Sequence, residues 1–230
     1  TAPAAAVVAG ATYTPTATAT SSLSVAITVD ATSSAVCSIS GGVVSFLTVG
    51  TCTLNFNQAG NTNWNGANQV QQSFTVSQGT QNITVTSTAP AAAVVAGATY
   101  TPTATATSSL SVAITSATTA VCTISGGVVS FLTVGTCTLN FNQAGNTNWL
   151  AATQVQQSFS VGKGSQSITV TSTAPAAAVV SGATYTPTAT SYGTNLQANT
   201  NVVAITVDAS SSAVCSISGG VVSFLTVGTC

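Results

Sequence analysis

The segment AVCSISGGVVSFLTVGTC stands at residues 35–52, returns unchanged at 213–230, and recurs with one Ser-to-Thr exchange at 120–137. Around it, the string TAPAAAVV begins at Thr1, Thr88 and Thr173. The chain is therefore a repeat with a period of roughly 85 residues, and that period narrows the fold. Solenoid units of about 20 to 50 residues must stack to bury a core, whereas a unit of roughly 85 can close a small sandwich alone. The reading is of domains in tandem, beads on a string. Residues 1–77 form one lacking its first strand, 78–163 a complete one, and 164–230 one truncated before its last strands. GTQNITVTS and GSQSITVTS precede the second and third copies, while TLNFNQAGNTNW and QVQQSF follow Cys52 and Cys137. A segment of a longer protein is expected.

Within one unit, QNITVTS, ATYTPTATAT, SVAITVD, AVCSIS, VVSFLTV, CTLNFNQ and QVQQSFTV are short and rich in Val, Ile, Thr and Phe, and Gly, Ser, Asn or Pro separates them. Such runs read as seven strands, and no stretch reads as a helix. Alternation puts Cys37 and Ile39 on one side of their strand and Cys52, Leu54 and Phe56 on one side of theirs, with Ser38, Thr51, Thr53 and Asn55 opposite. Gly41 and Gly42 permit a tight hairpin, and Gly50 a second reversal. The expected class is all-β, a seven-stranded sandwich per unit.

Charge excludes whole classes of function. The chain holds one base, Lys163, and two acids, Asp30 and Asp208, with no His; charged residues make up 1%, against about 25% in ordinary soluble domains. Nucleic acid needs several Lys or Arg, so it is excluded as a partner. Two isolated carboxylates give calcium no loop of ligands, and zinc finds no second Cys pair or His within the same unit. No cofactor is implied. Without His or Glu, neither a nucleophilic triad nor a carboxylate pair can be assembled, so the chain does not read as an enzyme. Lys163, in VGKGS, reads as a solvated linker residue. Apolar runs stay far below the 18 or so residues of a spanning helix, so no membrane insertion is expected in this segment.

Cys37 and Cys52, Cys122 and Cys137, and Cys215 and Cys230 are each 15 positions apart, one pair per unit. A redox pair would be spaced C-x-x-C. A hairpin turning at Gly41–Gly42 sets Cys37 opposite Phe46, so an internal bond must reach the following strand and cross the core. Intradomain disulfides are expected, with bridges between chains as the alternative. Either implies an extracellular or periplasmic setting.

AVCSISGGVVSFLTVGTCTLNF, and the whole unit from QNITVTSTAP to QVQQSFTV, resembles the tandem bacterial Ig-like repeats of long surface proteins. The resemblance covers essentially the whole chain. It implies Ig-like sandwiches serving as spacers in adhesins, stalks and filaments at a bacterial surface, with no catalytic residues to carry over. The paired cysteines and the scarcity of Asp, Glu and Lys depart from many of those relatives.

Three aromatics are candidates for contact with a ligand or a neighbouring domain. Trp64 and Trp149 each close the pentapeptide GNTNW, an aromatic beside amides that could stack on a sugar or pack on the next bead. Tyr192 lies in SYGTNLQANTN, an insertion in the third unit that reads as an elongated hairpin tip. TPTATAT resembles the flat Thr ladder of an ice-binding surface, but its copies lie a whole unit apart. Asn82-Ile83-Thr84 fits a glycosylation sequon that Ser167 removes in the next junction. The sequence thus supports a structural extracellular rod, stalk or multi-chain filament whose partners are copies of itself, packed laterally through neutral faces. The alternative is an adhesin module gripping surface glycans through loops.

Overall fold

The computed structural model describes residues 1–193 and 201–230. The chain is all-β, without an α-helix among the described residues, and parts into two compact units. One comprises Thr1–Thr88, Pro102–Thr115 and Asn140–Gln156; the other comprises Ala89–Thr101, Ser116–Leu139 and Gln157–Cys230.

The first repeat is a two-layer sandwich within the first of these. Its main layer is a four-stranded sheet in the order Ala6–Val7, Val70–Ser77, Gly50–Asn57, Ala26–Val29. Ala6–Val7 runs parallel to Val70–Ser77, and the other pairings are antiparallel. The second layer is the hairpin Cys37–Ser40 and Val43–Phe46, in which Cys37 faces Phe46 and Ser40 faces Val43. That register follows from the turn. Gly41 and Gly42 take φ of +57° and +79°, a left-handed pair that L side chains disfavour and that matches the twist of a two-residue hairpin. Tyr13 extends the layer by bridging to Val44.

Alternation turns Cys52 and Leu54 inward from one strand, Val44 and Phe46 from the facing hairpin and Val76 from the neighbour; all are buried in one cluster with Cys37. Phe74 packs edge-to-face on both Tyr13 and Phe46, at 5.8 and 5.9 Å between ring centres. Each such buried side chain contributes about 1.5–3 kcal/mol of transfer free energy. The layers are also tied covalently. Cys37 of the hairpin is bonded to Cys52 of the sheet, with 5.8 Å between their Cα atoms.

The same parts recur in the other unit. The hairpin Cys122–Ser125 and Val128–Phe131 carries the Cys122–Cys137 disulfide, Tyr100 and Phe131 flank Phe159, and Ala93–Val94 lies parallel to Val161 and Gly162. The third copy repeats the hairpin, as Cys215–Ser218 and Val221–Phe224, and the disulfide, between Cys215 and Cys230. Val222 and Phe224 there border an apolar cavity of about 770 Å³.

Two features differ from the strand pattern read in the sequence. ATYTPTATAT forms one strand neither in the first repeat nor in the second. At 11–20 it makes only the Tyr13 bridge, while at 98–107 it adds the strand Ala104–Ala106, because Ile83–Val85 lies alongside to pair with it. A strand forms where a partner satisfies its backbone, whatever the local propensity. Second, Ala31–Ser33 and Ala209–Ser211 each form a turn of 3₁₀ helix, capped by Asp30 and Asp208. A short acceptor followed by small residues is an N-cap signal. The Thr32 hydroxyl above all, then the Asn55 amide and the Thr32 backbone N–H, hold the Asp30 carboxyl below its ordinary value. The Ser210 hydroxyl and backbone N–H do the same for Asp208.

The outer sheet faces are knitted by neutral pairs. Opposed residues Thr53 and Ser73 share a hydrogen bond of 2.8 Å, as do Thr138 and Ser158. Gln71 donates to Asn55 at 2.8 Å, and Gln156 to Asn140 at 2.7 Å. These cross-strand pairs stabilise the sheets without an ion.

Candidate functional site at the repeat junction

The loop GNTNW folds the same way in both of its copies. In the second, Asn146 Oδ1 accepts from the N–H groups of Asn148 and Trp149 at 2.9 and 3.0 Å, and the Asn146 N–H donates to the Trp149 carbonyl at 2.9 Å. In the first, Asn61 Oδ1 accepts from Asn63 and Trp64 at 2.9 and 3.1 Å, and the Asn61 N–H donates to the Trp64 carbonyl at 2.9 Å. Gly145 and Gly60 open the loops at φ of +76° and +79°. A Cβ at either would collide with the carbonyl of the loop's own Trp, so only Gly closes the turn. Each Trp is thus carried on a preformed mount.

What the two tryptophans meet differs. Trp149 packs against the buried cluster of the first repeat. Its backbone runs parallel to Gly79, the middle of the junction between repeats: the Gly79 N–H donates to the Asn148 carbonyl, and the Leu150 N–H to the Gly79 carbonyl, both at 2.9 Å. The Asn148 side chain accepts from the Val49 N–H at 3.0 Å, and the Gln78 amide donates to the Asn146 carbonyl at 2.7 Å. Gln81, also buried, donates to the Gln143 side chain at 2.5 Å and to the Leu150 carbonyl at 2.7 Å while accepting from the Ser108 hydroxyl. A side chain on Gly79 would collide with the Val8 carbonyl and come within 3.0 Å of the Trp149 ring. The indole and the Val49–Asn148 bond thus close the second repeat's loop on the first repeat's end, while Gln78, Gly79 and Gln81 bond the loop to the start of its own repeat. The repeated GNTNW was the only sequence signal for this clasp; nothing local marked Gly79, Gln81 or Val49.

Trp64 remains 53% exposed. It borders a cleft of about 490 Å³ whose walls include Phe56, Val70, Asn57, Gln58 and Gln72 and residues 17–21. The remaining candidates lie elsewhere. The six cysteines form the three disulfides described above. Tyr192 ends the strand Ala189–Tyr192, opposite Ser167, and residues 194–200 of the inserted tip lie outside the described residues. Lys163 is exposed. Among the described residues, no three of His, Cys, Asp and Glu gather as a metal site, and no helix is long and apolar enough to cross a membrane.

No family model matches the chain, and no curated protein matches it. Among solved structures it aligns with the C-terminal 282-residue fragment of intimin, solved in complex with the intimin-binding domain of the translocated intimin receptor. Identity is 16% over 56% of this chain and 45% of that one, with a TM-score of 0.24. It also aligns with domains 4–9 of the surface layer protein SbsC, at 18% identity over 86% of this chain and 34% of that one, with a TM-score of 0.28. The chain spans less than half the length of either.

Proposed function

We propose that the chain is a structural segment of an extracellular protein at a bacterial surface, three Ig-like domains at 1–77, 78–163 and 164–230 that serve as rod, stalk or filament. The observation that carries this reading is the clasp at Gly79. It spends the one conspicuous aromatic loop of the second repeat on holding the first, which is what a linear array needs of its modules. The disulfide of each repeat supports an oxidising location. Neutral outer faces of Thr, Ser, Asn and Gln favour lateral packing of copies, since burying them desolvates no ions. The residue set holds no His or Glu from which a triad or a carboxylate pair could be assembled.

A second reading, a module that binds surface glycans, keeps one candidate, because Trp64 stands exposed beside amide side chains. Tyr192 remains a proposed contact residue on either reading. Antibodies raised against the second repeat test the first reading. They are expected to decorate fibres or stalks on intact cells that produce the protein. Labelling that requires permeabilised cells would overturn it.

A further inference from the structure

Asn65 is the only asparagine of the chain that precedes a glycine; the others precede Phe, Gln, Thr, Trp, Ile, Leu or Val. The distinction is chemical. A backbone N–H can attack the carboxamide of the asparagine before it and close a five-membered ring, and a side chain on the attacking residue obstructs that approach. Gly66 has none. Asn65 and Gly66 are both exposed, and among the described residues no hydrogen bond engages the Asn65 side chain or the Gly66 N–H. Other asparagines are held. Asn55 bonds to Asp30 and Gln71, Asn61 accepts from Asn63 and Trp64, and Asn148 accepts from Val49. The openness at Asn65 belongs to the loop itself. In the second repeat, where the same loop is clasped at Gly79, Leu150 takes the place of Asn65 and is still 46% exposed, and Ala151 in the place of Gly66 is exposed too.

We propose that Asn65-Gly66 is a site of spontaneous covalent modification, at which Asn65 converts to aspartate and isoaspartate with water as the co-reactant. The Gly66 nitrogen bonds to Cγ of Asn65, the Cγ–Nδ2 bond breaks, and ammonia leaves with the proton of the Gly66 N–H. Water then opens the succinimide. Cleavage between the Gly66 nitrogen and Cγ leaves aspartate in the ordinary chain, whereas cleavage between that nitrogen and the backbone carbonyl carbon leaves isoaspartate, with the chain running through Cβ and Cγ. Either product carries a carboxylate that is ionised at neutral pH and adds one negative charge to a chain whose formal net charge is −1. Isoaspartate also lengthens the backbone by one atom. The loop has little slack for it, because the Trp64 carbonyl accepts from Asn61 and the Ala67 N–H donates to Gln58, both at 2.9 Å, and Gly60 lies tight against the backbone from the Trp64 carbonyl to the Gly66 nitrogen. That branch of the reaction therefore unseats the turn that mounts Trp64.

Incubation of the whole 230-residue chain for several weeks in mildly alkaline buffer at physiological temperature tests it. With so few charges on the chain, one new carboxylate is expected to resolve as a separate, more acidic peak on anion exchange, heavier than the parent by about one dalton. Peptide mapping should place the change within residues 58–72, and an isoaspartyl methyltransferase should label part of that peak. Gly66→Ala, which installs the residue of the second repeat, is expected to slow the conversion at least tenfold; Asn65→Leu, likewise the residue of the second repeat, should abolish it. Three results would overturn the proposal: a wild type that keeps its mass for as long as a free peptide of residues 58–72 takes to convert by half, a Gly66→Ala variant that reacts as fast as the wild type, or a conversion that maps to another asparagine.

Discussion

Cys37 and Cys52 are both fully buried, in a cluster otherwise made of Val, Ala, Leu and Phe side chains. A repeat this small buries too little to be secure by packing alone. Closing a loop of about 15 residues is worth about 3 kcal/mol in the chain-entropy model. Denaturant unfolding of a Cys37→Ala, Cys52→Ala variant should therefore show the first repeat destabilised by about 3 kcal/mol, and an unshifted midpoint would assign its stability to packing. The pairing could be read from residue types, because a spacing that travels with the repeat marks the two sulfurs as one unit. The cap at Asp30 was written in the sequence too, as an acceptor before Ala-Thr-Ser, but a single turn of 3₁₀ helix leaves no periodicity.

At the scale of elements, Gly79 is where two repeats, a linker and an indole converge. Gly79→Ala would push a methyl group into the Val8 carbonyl and against the Trp149 ring. We expect it to release the loop at a cost of about 1–3 kcal/mol and to expose the junction, seen as faster proteolytic cleavage between residues 77 and 82 with each repeat's own disulfide retained. A cleavage rate equal to that of the wild type would mean that the junction is held elsewhere. Here the sequence was legible only in part. Strand alternation and the Gly-Gly turn set the hairpin register, including Cys37 against Phe46, because those rules act over a few residues. The fates of Trp64 and Trp149 could not be read the same way. Their pentapeptides are identical and fold identically, so only what lies opposite distinguishes an exposed ring from a clasped one.

For the whole molecule, the scarcity of charge governs how it answers to solution conditions. With three charged side chains there is almost nothing for salt to screen. Asp30 and Asp208 are held below the ordinary aspartate value, so what they add to stability is complete above that value, about 3.9, and is lost as pH falls through their lower folded-state values. No His is present to titrate near neutrality. Thermal unfolding and self-association should both be flat in ionic strength and across pH 5 to 8, with a decline only in acid. A melting temperature that moved by several degrees between about 10 mM and 1 M salt, where the screening length falls from about 30 to 3 Å, would contradict this.

The disulfides also set how far such an array can be drawn out. Each bridge spans 15 positions, which would reach about 50 Å if pulled straight, yet holds its ends 5.7 or 5.8 Å apart. A repeat forced open under tension therefore pays out its chain only up to the first cysteine and from the second onward, withholding about 45 Å. The hairpin between them stays slack while the rest is stretched. A fibre of these repeats would yield in short steps, and each opened module would keep its Gly-Gly turn inside a covalent ring, ready to close again when the load is removed.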